Sequence, residues 1–461
     1  MADEGSQPLK GFDDLLQIFH EGEKGGAVEL LGTESEKFGV QSKNHKPVSY
    51  DGRTCGILGF FERLLAAAPA DHGGWSPVYD GEGGPLIALE RDRPIGKEQI
   101  SLEPGAQFEL SGAPQETVHG VADELAAHLE LIAPVSDACG VRWLSAGFHP
   151  LARQDQLPWV PKERYAVMRA YFPSVGTRGI DMMRRTATVQ VNLDYHDEQD
   201  AMTKLRVGLK ASPIAAAIFA NSPFVEGKIT GHQSERTLVW TDTDRYRTGL
   251  LPAMLAPGTG YADYAKWALD VPMYFFKRGG EIVANTGQPF AAFLKDGYEG
   301  HRATSADWVL HLNTLFPEVR LQKTLELRCV DAQRQDRLPA LAAFWAGLLY
   351  DPVALAAADE LLAPLGHAAL DAARRDVGNE GLGARVGDLP IVGLAEGLMD
   401  LAAAGLERRA RTDGEGRDER RHLEPIQRLL AAGRTPADEL LDGLDADDPG
   451  LAEKIFERTV I

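Results

Sequence analysis

The sequence contains few cysteines and no long apolar run. Its 461 residues include three cysteines, Cys55, Cys139 and Cys329, which are far apart and form no Cys-x-x-Cys pair. An odd, low cysteine count argues against a disulfide framework or a thiolate zinc site and predicts a reducing compartment. No stretch of about 18 apolar residues is present, so no membrane span is predicted. The start, MADEGSQPLKG, lacks a basic segment followed by an apolar core. We therefore expect no secretory signal and a cytoplasmic location.

Positive charge is outweighed by negative charge, with 48 Lys and Arg residues against 68 Asp and Glu residues. The formal net charge is -20 and the isoelectric point is about 5.1. An acidic surface disfavours nucleic acid and anionic membrane as standing partners, so we expect small-molecule substrates instead. An anionic substrate would need local arginines or a bound metal ion to overcome this background charge.

The common signatures of nucleotide and hydrolase sites are missing. The sequence has no Gly-x-x-x-x-Gly-Lys-Ser/Thr loop, no Gly-x-Gly-x-x-Gly motif after a strand, no His-Glu-x-x-His and no Gly-x-Ser-x-Gly. These absences argue against a phosphate-loop NTPase, a dinucleotide-binding domain, a zinc protease and an α/β-hydrolase. The remaining candidates for a functional site are carboxylates, which lie on segments that resemble β-strands.

Strand and helix patterns alternate irregularly over the first two-thirds of the chain. Strands are predicted at residues 28–31, 100–110, 187–195 and 321–330, with a short strand-like piece near Val239 and Trp240. Helices are predicted from the first thirty residues and from 56–68, 114–132 and 197–220. From residue 338 onwards the spacing is helical throughout. This order favours an α+β fold with a mainly antiparallel sheet. We expect a single domain over residues 1–461, with a sheet-bearing part at 1–335 and a helical part at 336–461.

The first carboxylate pair lies in GTESEKFG, at Glu34 and Glu36. Residues two apart on a strand face the same side. Like charges on one face repel unless a cation lies between them or water covers them. The pair therefore fits a metal site or, equally, an exposed edge strand.

The second set lies in ISLEPGAQFELSG. Glu103, Gln107 and Glu109 share one face if the segment is a single strand, and oxygen side chains suit hard cations. Pro104 and Gly105 equally fit a turn, which would break this alternation.

Two further strands carry polar side chains on one face. In TVQVNLDY these include Gln190 and Asn192, and in LELRCVD they are Glu326 and Arg328. Solvent exposure or a cross-strand ion pair would also explain them. If all four segments belong to one sheet, they form a single polar face that binds divalent cations and a polyphosphate. Such a face suits amide formation, in which ATP activates a carboxylate as an acyl phosphate.

Longer motifs resemble those of the plant and proteobacterial glutamate–cysteine ligases. They include GTESEKFG, ISLEPGAQFELSGAP, MRAYFPSVGTRGIDMMRRTATVQVNLDY, WTDTDRYRTGLLP and LFPEVRLQKTLELRCVD, and the similarity covers nearly the whole chain. The resemblance implies a glutamine synthetase-like catalytic fold, with a curved, mainly antiparallel sheet, outer helices and a helical C-terminal third. It also implies ATP as co-substrate, Mg²⁺, a γ-glutamyl phosphate intermediate and attack by the cysteine amine.

The resemblance also implies roles for individual residues. The implied metal ligands are Glu34, Glu36, Glu103, Glu109, Gln190 and Glu326, although related ligases carry a histidine in place of Gln190. Arg328 is expected to face the transferred phosphoryl group and Arg236 to bind a substrate carboxylate or phosphate. The implied substrate-binding residues are Asn192, Arg169, Arg185 and Arg247.

Two other activities fit the same polar face. One is a related carboxylate–amine ligase with a different amine acceptor. The other is a guanidino-kinase-like phosphotransferase, which also uses ATP and Mg²⁺ on a related sheet. The identity of the product separates these alternatives.

Overall fold

The computed structural model describes residues 7–52, 56–68 and 74–461. The α-helices are α1 (Asp13–His20), α2 (Ile57–Ala67), α3 (Val118–Cys139), α4 (Glu163–Tyr171), α5 (Gly179–Arg185), α6 (Glu198–Ile218), α7 (Glu235–Trp240), α8 (Tyr261–Asp270), α9 (Phe290–Asp296), α10 (Ser305–Leu312), α11 (Leu338–Leu349), α12 (Pro352–Leu362), α13 (His367–Glu380), α14 (Ile391–Arg409), α15 (Glu424–Ala431), α16 (Pro436–Leu441) and α17 (Leu451–Thr459). Short 3₁₀ helices lie at Gln154–Gln156, Phe172–Ser174, Pro252–Leu255, Gly381–Gly383 and Glu419–His422.

The strands fall mostly in the first two-thirds of the chain. They are β1 (Leu31–Gln41), β2 (Ser76–Tyr79), β3 (Leu86–Asp92), β4 (Lys97–Leu102), β5 (Phe108–Ser111), β6 (Val141–Leu144), β7 (Thr188–Leu193), β8 (Phe224–Val225), β9 (Lys228–Ile229), β10 (Thr248–Gly249), β11 (Phe275–Arg278), β12 (Glu281–Ala284), β13 (Phe316–Pro317), β14 (Val319–Leu321), β15 (Leu325–Asp331), β16 (Arg385–Val386) and β17 (Leu389–Pro390).

One large sheet dominates this region. Its strand order is β14-β15-β7-β1-β5-β4-β3-β2, and β6 pairs with the second half of β1. The pairings described for this sheet are all antiparallel. The predicted α+β class with a mainly antiparallel sheet is therefore confirmed. Smaller two-stranded sheets lie outside it.

The two faces of the sheet differ because side chains alternate along each strand. On β15, Leu327 points toward α6, where a Cβ added at Gly208 would lie 3.0 Å from its Cδ1 atom. The residues on either side of Leu327, Glu326 and Arg328, therefore point to the opposite face of the sheet. Helix α11, whose side chains are nearly all buried, packs on β7. Apolar packing on one face leaves the other free to carry polar groups.

The C-terminal region is helical, as the residue spacing predicts. Helices α11 to α14 pack against each other and against α6, and the main apolar core extends from Leu15 to Leu430. The division at residues 335 and 336 stays a prediction. Among the described residues no single helix is long and apolar enough to cross a membrane. Only α11 and α12 reach that composition together, and the pair is bent by 89°.

Four local predictions are wrong in type or bounds. The strand predicted at 28–31 lies too early, because β1 begins only at Leu31 and continues to Gln41. Residues 235–240 form α7 rather than a strand-like piece, because the Ser234 hydroxyl accepts a hydrogen bond from Thr237 N (3.1 Å) and caps the helix. The helix predicted at 114–132 is α3, which begins four residues later, after the capping side chain of Thr117. The strand predicted at 100–110 is divided into β4 and β5 by a turn.

Candidate active site

A cavity of about 420 Å³ lies on the polar face of the sheet. Its polar lining includes Glu34, Glu36, Glu103, Gln107, Glu109, Arg164, Thr188, Gln190, Arg236, Asn313, Arg320 and Arg328. Its apolar lining includes Met168, Met182, Met183, Trp240, Phe275, Leu310 and Phe316. The cavity therefore combines carboxylates and guanidinium groups with apolar walls.

Strand register brings the carboxylates together. Glu36 on β1 lies directly opposite Glu109 on β5, and Glu34 lies opposite Gln190 on β7. Glu103 reaches the same cavity from the turn between β4 and β5. The four glutamates that are separated in sequence thus share one cavity.

The turn at Glu103 corrects the single-strand interpretation of residues 100–110. Ala106 N donates to Glu103 O (2.8 Å), and Ala106 has a φ of +64°. Gln107 lines the cavity with Glu109, and its side chain also holds the turn: its amide oxygen accepts from Gly105 N (2.9 Å) and its amide nitrogen donates to Thr186 O (2.8 Å). Gln107 holds the turn against the segment after α5, and the turn places Glu103.

Burial and mutual repulsion raise the pKa values of three of the cavity glutamates. Burial raises the pKa of Glu34 to about 7, and the neighbouring Glu109 adds to the effect. Burial, followed by Glu103 and Glu109, raises the pKa of Glu36 well above its ordinary value. Burial and then Glu109 also raise the pKa of Glu103. Arg328 and Arg320 act against this effect at Glu34, and Arg236 does so at Glu36, and a bound cation would stabilise the ionised carboxylates further.

Few hydrogen bonds offset this repulsion. Glu109 accepts from the hydroxyls of Ser101 (3.0 Å) and Ser111 (2.8 Å). Glu36 accepts from Thr188 N (3.1 Å). The side-chain oxygen Oε1 of Gln190 is buried, and no described residue donates to it. These oxygens keep unused acceptor capacity that points to a donor or a cation.

The oxygen-rich lining suits a hard cation such as Mg²⁺. Within the described part of the chain, no three His, Cys, Asp or Glu side chains already form a metal-binding group. Mg²⁺ usually binds through one or two carboxylates plus water and substrate phosphates rather than in an all-protein cage. The carboxylates and the vacant acceptor on Gln190 fit that mode of binding.

Arginines form the opposite charge in the cavity. Arg328 comes from β15 and Arg236 from α7, and Arg236 Nη2 donates to the Arg328 carbonyl (2.8 Å). Burial, followed by the nearby Arg320, lowers the pKa of Arg328 to about 9. Arginine forks bind carboxylate and phosphate oxygens in pairs. The cavity can therefore hold an anion beside its carboxylates.

The structure adds Arg320, an arginine that the residue patterns did not assign to the site. Arg164 and Arg320 both line the cavity. Arg320 lies on β14 directly opposite Glu326, and its Nη2 atom is 2.6 Å from Glu326 Oε2. The alternation of Val319, Arg320 and Leu321 was a detectable signal that this arginine shares the polar face.

Other predicted residues lie beside the cavity. Glu326 is not in its lining, and it is paired with Arg320 and with Arg328, which both line the cavity. Asn192 is likewise not in the lining. Its amide bridges neighbouring side chains, donating to Glu34 (3.3 Å) and accepting from Thr324 (3.3 Å). Both residues support the cavity from behind its surface.

Three predicted arginines are not brought into the cavity. Arg169 is exposed and stacks over Trp159. Arg185 is buried between Asp181 and Glu226, each at 3.4 Å. Arg247 is fully buried. Its Nε atom lies 2.6 Å from Asp244, and its guanidinium group stacks on Tyr274. The structure shows contacts for these three that stabilise the scaffold, and their role in substrate binding stays a prediction.

The chain is similar to known ligases along almost its whole length. A family model described as glutamate–cysteine ligase family 2 matches residues 30–457. A chloroplastic glutamate–cysteine ligase of Arabidopsis thaliana is 41% identical over 449 residues, which cover 97% of this chain and 82% of that protein. Chloroplastic glutamate–cysteine ligase B of Oryza sativa subsp. japonica is 40% identical over 449 residues, covering 97% and 86%.

A solved structure shares the fold. The crystal structure of a glutamate–cysteine ligase from Francisella tularensis in complex with AMP has a TM-score of 0.55 at 12% identity, covering 94% of this chain and 87% of that chain. At this level of identity the similarity concerns the fold alone.

Several of the relatives are chloroplastic enzymes. By this comparison the predicted cytoplasmic location is wrong. The prediction relied on few cysteines and on the lack of features of a secretory signal or a plastid transit peptide in the first residues. Few cysteines fit any reducing compartment, and secretory-signal features do not report on organelle import, whose peptides have a different composition.

Proposed function

The chain belongs to the glutamate–cysteine ligase family 2, and on that premise we propose that it joins the γ-carboxylate of glutamate to the amine of cysteine, using ATP. The products are γ-glutamylcysteine, ADP and phosphate, and the reaction is the first step of glutathione synthesis. The observation that carries the proposal is the single cavity in which glutamates of β1, β5 and the β4–β5 turn meet arginines of α7 and β15.

The reaction needs activation because a carboxylate is a poor electrophile. A γ-carboxylate oxygen of glutamate attacks the γ-phosphorus of ATP, and ADP leaves. The cysteine nitrogen, after losing a proton from its ammonium form, attacks the carbonyl carbon of the γ-glutamyl phosphate. Phosphate leaves as the amide bond forms, and the nitrogen releases its second proton to the departing phosphate or to water. Both steps depend mainly on positioning and charge neutralisation, so they require no nucleophilic side chain.

The cavity arginines are suited to these charges. Arg328 is proposed to face the transferred phosphoryl group, whose charge shifts between oxygens during the reaction. Arg236 is proposed to bind a substrate carboxylate or phosphate. Arg164 and Arg320 add positive charge to the same lining. Asn192 is proposed to act at the glutamate pocket through Glu34, and the weaker substrate-binding candidates remain Arg169, Arg185 and Arg247.

Mg²⁺ is part of the proposal. The proposed ligands are Glu34, Glu36, Glu103, Glu109, Gln190 and Glu326, the last of which would have to exchange its arginine partners. When bound, Mg²⁺ neutralises phosphate charge and orients the polyphosphate. The raised pKa values of Glu34, Glu36 and Glu103 support a site that is completed by a cation.

The test is ADP release from glutamate and Mg-ATP, with cysteine, serine, alanine or histidine added singly and the product identified by mass spectrometry. Turnover that depends on cysteine and yields γ-glutamylcysteine supports the proposal. Amide formation with another amine only would mean a different acceptor. A phosphorylated product without an amide would favour a phosphotransferase. Turnover that persists after chelation with EDTA would remove Mg²⁺ from the mechanism.

A further inference from the structure

Arg236 is held on a helix too short to be stable alone. Helix α7 has six residues, and isolated helices of this length do not form in water. Arg236 is in its first turn, is 4% exposed and lines the cavity. The place of this guanidinium group therefore depends on whatever fixes the start of α7.

Two serines fix that start. Ser234 is the capping residue, and its hydroxyl oxygen accepts from Thr237 N (3.1 Å). The hydroxyl oxygen of Ser222, from a different segment, accepts from Arg236 N (3.2 Å). Together they satisfy backbone N–H groups that have no partner within the helix.

Both serine hydroxyls converge on Asp331. Its carboxylate accepts from Ser222 Oγ (2.7 Å) and from Ser234 Oγ (2.9 Å). It also accepts from Asn221 N (2.7 Å), and Asp331 is only 1% exposed. A serine hydroxyl has one proton and two lone pairs. When that proton goes to Asp331, the lone pairs are left for the N–H groups of α7.

The surroundings hold Asp331 in one place. It is the last residue of β15, the strand that also carries Arg328. On its other side lies Gly147, where an added Cβ would be 2.2 Å from the Asp331 Cγ atom. Asp331 therefore connects the strand of one cavity arginine to the helix of the other.

We propose that Asp331 is a positioning residue that places Arg236 in the cavity by orienting the hydroxyls of Ser222 and Ser234. The inference deepens the proposed function, since it rests on Arg236 acting on the substrate. Asp331 does not line the cavity, so it acts on the substrate only through Arg236, by way of the two serines and α7 and by direct attraction between the two opposite charges.

The first test is Asp331→Asn, which keeps the size but places an N–H₂ group against a serine O–H. A displaced group near the reacting atoms costs about 10²-fold in rate, so we expect kcat/KM to fall by about that factor. The part of this loss that comes from a higher KM and the part that comes from a lower kcat should be in the same proportion as in Arg236→Gln. The double variant should be no slower than Arg236→Gln alone, because both changes remove one interaction. Wild-type kcat/KM in Asp331→Asn, or losses that multiply in the double variant, would overturn the proposal.

The matched control is Asp351→Asn. Asp351 is also buried and fixes the start of a helix, in this case directly by accepting from Ala354 N (2.7 Å), and like Asp331 it does not line the cavity. We expect this variant to unfold at a lower temperature with unchanged kcat/KM. An equal loss of kcat/KM in both variants would show a general effect of lost stability and would contradict the proposal.

Amide hydrogen exchange tests the link without activity. In Asp331→Asn the amides of residues 235–240 should exchange faster, while those of α14 stay unchanged. Unchanged exchange in residues 235–240 would overturn the inference even in an active enzyme. A wild-type protein without ligase turnover would remove the proposed function, and the exchange result would still decide the link. If Asp331→Asn does not fold, Ser234→Ala removes the same connection and should show the same exchange.

Discussion

Buried charges occur in two kinds of surroundings in this molecule, the cavity and the scaffold. In the cavity, Glu36 lies opposite another carboxylate and its pKa is raised well above the ordinary value. In the scaffold, the fully buried Arg247 bonds to Asp244 and to two backbone carbonyls. Lys204 is likewise held by Asp200 (2.8 Å) and lies 3.6 Å from Glu29.

The difference is in pairing rather than in burial. A paired buried charge contributes to one folded arrangement, and removing its partner is costly. Like charges placed together destabilise the empty protein unless a ligand of opposite charge joins them. Close carboxylates that repel each other therefore distinguish the cavity from the scaffold, where buried charges are paired with opposite charges. Four experiments test this comparison.

The largest effect is expected from Glu36→Gln. Glutamine keeps the acceptor for Thr188 N but cannot carry the negative charge. We expect kcat to fall by about 10³-fold, with the melting temperature unchanged or raised because repulsion is removed. Steady-state kinetics and thermal unfolding measure the two parts.

The control for this variant is Glu124→Gln. Glu124 is also buried, and burial raises its pKa to about 7, but it is not in the cavity lining. Its turnover should match the wild type. Similar losses in both variants would mean that burial alone explains them.

Asp244→Ala tests the scaffold side of the comparison. It leaves Arg247 buried without its carboxylate partner, although the carbonyls of Thr314 and Pro272 remain. We expect the free energy of unfolding in urea to fall by about 3 kcal/mol. The exposed pair of Glu90 and Lys97 is the control, where Glu90→Ala should cost less than about 1 kcal/mol. A similar small loss at Asp244 would contradict the distinction.

Arg328→Ala tests the cationic part of the cavity. Its proposed partner charge develops during phosphoryl transfer, so we expect kcat to fall by about 10²-fold with a smaller change in KM. Glu326 keeps Arg320 as a partner, which limits the loss of stability. A rise in KM at constant kcat would mean that Arg328 only binds the ground state.

The smallest effect is a pH dependence from the scaffold. His149 is fully buried, and burial lowers its pKa to about 3 from 6.5. Between pH 6.5 and about pH 3, His149 is protonated in the unfolded chain but neutral in the folded protein. The free energy of unfolding therefore falls as the pH decreases through this range. Between neutral pH and pH 5 this group contributes a loss of about 2 kcal/mol.

His149→Asn should remove that contribution while its side-chain oxygen accepts from Ala152 N, as Nδ1 does at 3.0 Å. Urea unfolding at pH 7 and pH 5 measures it. Thr459→Ala, at a fully buried position without a titratable side chain, should keep the wild-type pH dependence. Parallel curves for the wild type and His149→Asn would contradict this account.

Sequence patterns worked best where one physical rule decides the outcome. The alternation of Thr188, Val189 and Gln190 predicted β7 and its polar face. The helical spacing after residue 338 predicted the C-terminal helices. The rule failed at residues 239–240, where a serine cap outweighed β-branched character, and at Glu103, where a turn divides two strands.

The sequence by itself determined the antiparallel α+β class, the family and the pairs of polar residues on each strand, because alternation and motif spacing are local properties. Only the tertiary structure decided which polar residues meet. Register sets Glu36 opposite Glu109, and an irregularity in the pairing of β15 with β7 lies between Leu327 and Val330, beside Arg328. The tertiary structure also places Arg247 in a buried ion pair and connects Asp331 to α7. Contacts between distant segments depend on packing, which no local pattern encodes.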